Sequence, residues 1–230
     1  MTEENTYISP LAFVGDQSVI GNGTIIEAGS WVGPGAIIGD NCRIEHGACV
    51  GYNYIESETK PTVIDDGCLI ATGAVIYHST HLHKNVIIRH NAVIREQVEI
   101  GEESCIGTNT TIQHHVKIGK FCTLHNFVSI TDHSLLGDYI FVGPGFLSFS
   151  DITIDYKRPG IHKPYRGIII KDKARIGGSV NMLPGSVVGE EAVVGAGSIV
   201  HGILKSGMIY IGNPARAVKK VPKEEKIKDQ

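Results

Sequence analysis

The stretch that decides the fold runs from Ile64 to Ile100 and reads IDDGCLIATGAVIYHSTHLHKNVIIRHNAVIREQVEI. An aliphatic residue stands at every sixth position, and a small residue often follows four positions later, as Cys68 follows Ile64. Neither the 3.6-residue period of a helix nor the two-residue period of a strand fits this pattern. A six-residue repeat is typical of a parallel β-helix, in which each repeat supplies one short strand and one turn.

The same period extends in both directions along the chain. It runs from Val14 to Val50, from Ile64 to Val142 and from Ile170 to Val200. Because three repeats close one triangular coil, residues 18 positions apart should lie in vertical register. We therefore predict one all-β solenoid domain over residues 1–202, followed at 203–230 by a strand, a turn and a short charged helix.

The period breaks twice, at 51–63 and at 149–168. The first break is polar and contains Pro61, which indicates a local excursion in the wall. The second is longer and carries charges, prolines and tyrosines. Loops of that length within a compact domain are more often functional than not, so we predict a protruding functional loop, with a tolerated surface insertion as the alternative.

Bulk composition excludes several classes of partner. The net charge of −3 over 230 residues gives no electrostatic footprint for nucleic acid. No apolar run reaches membrane-spanning length, and the first residues lack a basic and apolar signal region, so we expect no membrane contact and a cytoplasmic location. The cysteine count is odd, and Cys42, Cys68 and Cys122 take inward positions, which predicts buried free thiols.

Aligning the repeats at 18 residues separates three corners of the coil. The corner after Ile64, Leu82 and Ile100 is mostly Gly with charged neighbours, and we interpret it as an ordinary solvated turn. A second corner, which includes His125, is mixed. The third, here called the polar corner, lacks Gly and runs into the long loop. Its three columns of turn residues are Tyr77, Arg95, Gln113, Thr131 and Phe149; His78, Glu96, His114, Asp132 and Ser150; and Ser79, Gln97, His115, His133 and Asp151.

The columns place His114 between two carboxylates. Neighbouring strands lie about 4.8 Å apart, so Glu96 and Asp132 should flank the imidazole of His114. Such carboxylates orient the ring and stabilise the charge that it gains with a proton, which is how a general base is prepared. The alternative is a solvated polar ladder without chemistry.

Three features resemble the left-handed β-helix acyltransferases over nearly the whole chain. The first is the repeat itself. The second is the ending from Ile176 to Val200 with Tyr210–Arg216 (YIGNPAR), which is similar to the coenzyme A-binding end of hexapeptide acetyltransferases. The third is the break at Gly143–Asp151 (GPGFLSFSD), which resembles the loop of nucleotide-sugar N-acetyltransferases, although Ser150 stands where Asn is frequent.

The resemblance implies a left-handed β-helix, a homotrimer with active sites between subunits, and transfer of an acyl group from acetyl-CoA or another acyl-CoA to a nucleotide-linked amino sugar. His114 inherits the role of base from an Ile-x-His-Glu context, with His115 in place of the Glu and with Glu96 or Asp132 as its partner. Some relatives with the long loop use no protein base, so His114 could be dispensable. The remaining expected site residues are His115, His125, His133 and Asp151 toward the acceptor, and Gly178, Ala196, Gly197, Arg216 and Lys219 toward CoA.

Three other functions stay open at the level of sequence. One is a γ-class carbonic anhydrase-like zinc enzyme, since His78 lies 36 positions before His114 and five before His83. That fit is partial because no third ligand stands where zinc needs one. The others are O-acylation and a non-catalytic scaffold. The leading hypothesis requires no metal.

Overall fold

A computed structural model describes residues 6–53, 60–161 and 163–227, and it shows three parallel β-sheets wound around one core. Nearly every strand has two residues, one facing outward and one inward. Register partners lie 18 positions apart over most of the solenoid, as in Ile88 with Ile106. The predicted all-β parallel β-helix of hexapeptide repeats is confirmed, and its architecture is consistent with left-handed winding.

Each sheet collects every third strand. Within the described residues, the first sheet contains the strands Tyr7–Ile8, Ile25–Ile26, Arg43–Ile44, Leu69–Ile70, Ile87–Ile88, Cys105–Ile106, Thr123–Leu124, Phe141–Val142, Arg175–Ile176, Val193–Val194, Met208–Ile211 and Arg216–Lys220. The second sheet contains Phe13–Val14, Trp31–Val32, Cys49–Tyr52, Val75–Tyr77, Val93–Ile94, Thr111–Ile112, Ser129–Ile130, Leu147–Ser148, Asn181–Met182 and Ile199–Val200. The third contains Val19–Ile20, Ile37–Ile38, Val63–Ile64, His81–Leu82, Glu99–Ile100, Lys117–Ile118, Leu135–Leu136, Ile169–Ile170, Val187–Val188 and Ile203–Leu204.

The repeat produces this fold because its aliphatic position fills the core and its small position fills the inside of the turn. The aliphatic residue of each repeat is buried, as Ile70, Ile76 and Leu82 are. The small residue fills the inward slot at the turn, where a hydroxyl such as that of Thr80 donates to the backbone carbonyl of Arg95 at 2.9 Å. The core is thus a stack of aliphatic ladders whose corners are tied by side-chain hydrogen bonds.

The inward cysteines behave as the sequence predicts. Cys42, Cys68 and Cys122 are buried and carry free thiols. The Cys122 thiol donates to the carbonyl of Gly137 at 3.1 Å, and burial raises its pKa to about 11. These thiols are packing groups that also satisfy backbone acceptors.

Both excursions leave the coil at the same edge. The first follows Cys49–Tyr52 of the second sheet and returns at Val63–Ile64 of the third; residues 54–59 lie outside the described part. The second follows Leu147–Ser148 and returns at Ile169–Ile170, with one 3₁₀ helix at Pro159–Ile161. Ser148 consequently pairs with Met182 rather than with the residue 18 positions on. The polar corner lies on this edge, between the two excursions.

The end of the solenoid differs in part from the prediction. Arg216–Lys220 is an antiparallel strand beside Met208–Ile211, which agrees with the predicted strand and turn. The expected charged helix is only the 3₁₀ turn Lys223–Glu225 within the described residues. The backbone N–H groups of Glu225 and Lys226 donate three residues back, to the carbonyls of Pro222 and Lys223, which closes a 3₁₀ turn rather than an α-helical one. No helix in the described ranges is long and apolar enough to cross a membrane.

The absence of Gly from the polar corner does not distinguish it. His115 and His133 have positive φ values of 59° and 54°, but non-glycine residues adopt this conformation on every edge, as Asn91 and Tyr139 do. Each of these turns contains a residue with left-handed backbone angles, and several residue types other than glycine adopt that conformation here despite its steric cost. The chemistry of the polar corner therefore has to be argued from its contacts.

Candidate functional site

The turns after the second sheet bring three histidines together. The Nδ1 atoms of His114 and His115 lie 2.8 Å apart, and the ring of His133 lies 5.5 Å from that of His114 and 4.8 Å from that of His115. Backbone hydrogen bonds fix the columns, since His115 donates to the carbonyl of Glu96 and His133 to that of His114. The predicted vertical register of the polar corner is correct.

Either His114 or His115 can donate the hydrogen bond between their Nδ1 atoms, depending on the tautomer of each ring. Burial, followed by the charges of His114 and His133, lowers the pKa of His115 against the opposing pull of Glu96 and Asp132. A neutral His115 can accept a hydrogen bond at Nδ1 from the Nδ1–H of His114. The Nε2 atom of His114 then carries the lone pair, which is the state that a general base requires.

The two predicted carboxylates act on His114 through space, and each is held by another side chain. The Arg95 guanidinium binds both oxygens of Glu96, at 2.8 and 3.0 Å. Burial opposes ionisation of Glu96, but Arg95 and the charge of His114 outweigh it, so the pKa of Glu96 is lowered. Glu96 therefore remains negative and favours a positive charge on His114.

Asp132 is ionised for similar reasons. Burial raises its pKa, while hydrogen bonds from Ser150 and Thr131 and the charge of His114 lower it by more. The hydroxyl of Thr131 donates to Asp132 at 2.9 Å. The sequence columns contain Arg95, Thr131 and Ser150, but residue type alone did not show that they hold the carboxylates.

The long loop returns directly over the polar corner. A side chain at Gly167 would collide with the carbonyl oxygens of His133 and Asp132, so only glycine permits this approach. At the other end of the loop, Asp151 accepts from the backbone N–H of Ile154 at 2.8 Å and from that of Thr153 at 2.9 Å. Asp151, predicted toward the acceptor, thus shapes the base of the loop.

The residues expected to bind CoA lie on a different edge, formed by the turns after the first sheet and here called the glycine edge. Gly178, Ala196 and Gly197 occupy successive coils there, and Ala196 and Gly197 are exposed. A Cβ on Gly178 would stand 3.1 Å from the carbonyl oxygen of Pro144, while one on Gly197 would meet no atom within 4 Å. Small exposed residues give this edge an accessible backbone.

The remaining expected residues also lie away from the polar corner. His125 follows Thr123–Leu124 on the glycine edge, where its ring packs 5.2 Å from that of Phe141. Arg216 and Lys219 are exposed on the last antiparallel strand, whose partner strand extends the first sheet. Within one chain, His125 therefore belongs with the expected CoA residues rather than with the acceptor group of His115 and His133.

The carbonic anhydrase alternative receives no support from these positions. Among the described residues, His114 clusters with His115 and His133, and His83 clusters with Asp65 and His81. His78, the remaining histidine of that alternative, belongs to neither group. Its Nδ1 contacts the Ser79 hydroxyl at 3.1 Å, and its buried Nε2 has no hydrogen-bond partner among the described residues.

Comparison with known proteins assigns the repeat. The family "Bacterial transferase hexapeptide (six repeats)" matches residues 61–96 and 79–114. A protein of Escherichia coli K12, provisionally named lipopolysaccharide biosynthesis O-acetyl transferase WbbJ, is 30% identical over 112 residues, which are 49% of this chain and 54% of that protein. The chain thus spans about half the length of the curated relatives that it matches.

Two solved structures extend the comparison. A hexapeptide-repeat acetyltransferase of Vibrio cholerae, complexed with acetyl coenzyme A, has 25% identity and a TM-score of 0.50, over 54% of this chain and 71% of its own. The UDP-N-acetylglucosamine acyltransferase of Campylobacter jejuni has a TM-score of 0.62 over 92% of this chain and 74% of its own; at 18% identity it shows the fold alone. Residues 61–114 thus match the hexapeptide repeat of bacterial transferases, and the chain is similar in its repeat and its fold to acetyltransferases and acyltransferases built from that repeat.

Proposed function

We propose that the protein transfers an acetyl or other short acyl group from acyl-CoA to the amine of a nucleotide-linked amino sugar. The observation that carries the proposal is the 2.8 Å contact between Nδ1 of His114 and Nδ1 of His115, beside two carboxylates whose pKa values are lowered. In the tautomer in which His115 accepts this hydrogen bond, Nε2 of His114 is a proton acceptor. The acetyl-CoA complex of the Vibrio cholerae relative supports acyl-CoA as the donor.

The proposed reaction needs one proton acceptor and one oxyanion donor. The amine nitrogen attacks the thioester carbonyl carbon while His114 Nε2 takes the amine proton. The C–S bond then breaks, the amide forms, and CoA leaves as the thiol after its sulfur receives the proton that His114 took from the amine. A backbone N–H of a turn facing the thioester would stabilise the oxyanion. Glu96 and Asp132 stabilise the imidazolium that forms at His114.

The placement of the two edges supports a site shared between subunits. The polar corner and the glycine edge are separate edges of the same triangular coil, so a single chain presents them in different directions. A cleft lined by both therefore needs the polar corner of one chain and the glycine edge of another. A closed ring of three chains would form three such clefts, and we propose this homotrimer as the active form.

The decisive assay uses the full chain with acetyl-CoA and a panel of UDP-linked amino sugars, and it follows CoA release and the mass of the amide product. Hydroxyl acceptors belong in the panel because the Escherichia coli relative bears an O-acetyl transferase name. An ester product in place of an amide would overturn the N-acyl assignment. Absence of acetyl-CoA binding at millimolar concentration would overturn the acyltransferase itself.

The role of His114 is tested by His114→Ala. Because a positioned base contributes about 10²–10⁴-fold, we expect kcat to fall at least about 100-fold while KM for acetyl-CoA changes less than about twofold. His46→Ala, an exposed histidine six coils before Gly178, is the matched control. Turnover within a few-fold of wild type would show that the amine arrives neutral and that His114 is not a base.

A further inference from the structure

A second cluster of metal-binding side chains lies away from the polar corner, on the third sheet and the turn that follows it. Nε2 of His81 lies 3.1 Å from Oδ1 of Asp65, and Nδ1 of His83 lies 3.3 Å from Oδ2 of the same carboxylate. One ligand atom from each of the three residues fits within 4.8 Å of the others. We propose that Asp65, His81 and His83 bind a divalent transition-metal ion of the zinc type.

The fold positions these residues rigidly. Asp65 and His83 occupy the same turn position in successive coils, and each backbone N–H donates into the next coil, to the carbonyls of Leu82 and Ile100. His81 lies on the outward side of His81–Leu82, whose Leu82 is buried in the core. All three side chains are half-buried, which limits their freedom without closing off the site.

The distances fit a tetrahedral ion. With metal–ligand bonds of about 2.0–2.2 Å, neighbouring ligand atoms in a tetrahedral site lie about 3.3–3.6 Å apart. Here Nε2 of His81 lies 3.1 Å from Oδ1 of Asp65, Nδ1 of His83 lies 3.3 Å from Oδ2, and the ring centroids of the two histidines are 4.0 Å apart. Binding through a single oxygen requires the carboxylate to turn that oxygen toward both imidazoles. Two imidazoles and one carboxylate form a ligand set that leaves the fourth position open.

An outer carboxylate provides the second, independent observation. Histidines that bind a metal usually donate their other ring N–H to a carboxylate, which fixes the tautomer. His83 faces Asp65 with Nδ1 and places Nε2 3.3 Å from Oε1 of Glu99. Glu99 is in turn anchored by the Lys117 ammonium at 3.0 Å from Oε2. His83 is therefore oriented to present Nδ1 to an ion bound beside Asp65.

The site has an entry path and is independent of the acyl transfer proposed above. Asp65, His83 and Glu99 line an open cleft of ≈ 420 Å³ beside Lys84 and Lys120, so the fourth position is reachable from solvent. The cluster lies on the turn that follows the third sheet, whereas His114 lies on the turn that follows the second. Failure of the metal site would leave the acyltransferase proposal untouched, and the reverse also holds.

The test titrates the metal-stripped full chain with Zn²⁺ in a calorimeter and repeats the titration with Co²⁺, whose visible absorption reports tetrahedral coordination. We expect His83→Gln to lower the number of bound ions by one per chain. Glu99→Gln should weaken that ion about 10–100-fold, the usual cost of removing an outer partner. His90→Gln should change nothing. Circular dichroism confirms folding, and Asp65→Asn replaces His83→Gln if that variant misfolds.

The three histidines of the polar corner must be separated from this site. His133→Gln removes one of them and should leave the Asp65–His81–His83 ion in place. If His133→Gln removes the only bound ion and His83→Gln does not, the proposal is wrong. It is also wrong if wild-type protein binds no Zn²⁺ at micromolar concentration, or if bound Co²⁺ lacks the absorption of a tetrahedral site.

Discussion

At the scale of single residues, the contact between His114 and His115 is the feature that residue type did not reveal. Column alignment predicted a histidine between two carboxylates, and the structure places both carboxylates close enough to bias its charge. The atom that orients His114, however, is Nδ1 of His115. Side-chain direction at a turn depends on the left-handed backbone at His115, which a list of residues does not show.

The orienting role of His115 gives a prediction with a built-in rescue. We expect His115→Leu to lower kcat about tenfold or more, because His114 loses the acceptor that fixes its tautomer. His115→Glu should retain turnover, since a carboxylate also accepts the Nδ1–H. It should also change the pH profile of kcat/KM, because it places a negative charge beside His114. Equal losses in both variants, with unmoved profiles, would show that His115 only fills space.

Glu96 gives a prediction for stability against pH. Its pKa is lowered in the folded state, so its contribution to the free energy of unfolding is fully present above the ordinary carboxyl pKa of about 4.3. That contribution is lost as the pH falls through the folded-state value. The stability difference between wild type and Glu96→Gln, from urea unfolding, should therefore shrink as the pH is lowered below about 4.3. A difference that is constant from neutral pH to pH 3 would contradict the ion pair between Glu96 and Arg95.

At the scale of the repeat, most of the fold follows from the sequence. An aliphatic residue at every sixth position predicts where each strand lies, which side chain points inward and which residues pair 18 positions apart. Neither the helical nor the strand period predicts these features together. The sequence placed the excursions at the right breaks. It did not show that the edge carrying both excursions would hold Arg95 and Thr131 against the carboxylates. Nor did it suggest the Asp65 cluster, because His81 is a strand residue and turn columns leave it out.

Close approach between neighbouring coils predicts which glycines tolerate a side chain. A Cβ on Gly143 would stand 2.5 Å from the backbone nitrogen of Gly178, and neither backbone can move without breaking the ladder. We expect Gly143→Ala to destabilise the protein by about 1–3 kcal/mol, the usual cost of overpacking, and to weaken acetyl-CoA binding on the same edge. Gly160→Ala, where a Cβ meets nothing within 4 Å, is the control and should change stability by less than about 0.5 kcal/mol. Equal unfolding midpoints for the two variants would refute the argument.

At the scale of the whole molecule, the residues expected at the active site lie on two separate edges of one chain. His114, His115 and His133 cluster on one edge, whereas Gly178, Ala196 and Gly197 lie on another. Sequence columns indicate which residues share an edge, but the contact between edges of different chains depends on assembly. A site shared between two chains is therefore inferred from the positions of these edges in the coil.

The measurement that tests this account most directly is complementation between two inactive variants. His114→Ala disables the polar corner, and Ala196→Trp blocks the exposed glycine edge. When the two chains are co-expressed in equal amounts and assemble at random, about one quarter of the shared sites combine an intact corner with an intact edge. We expect the mixture to recover about one quarter of wild-type acyl transfer, and a chain carrying both substitutions to rescue neither parent. A mixture no more active than its parents, with mixed assemblies confirmed by two affinity tags, would contradict a site built from two chains.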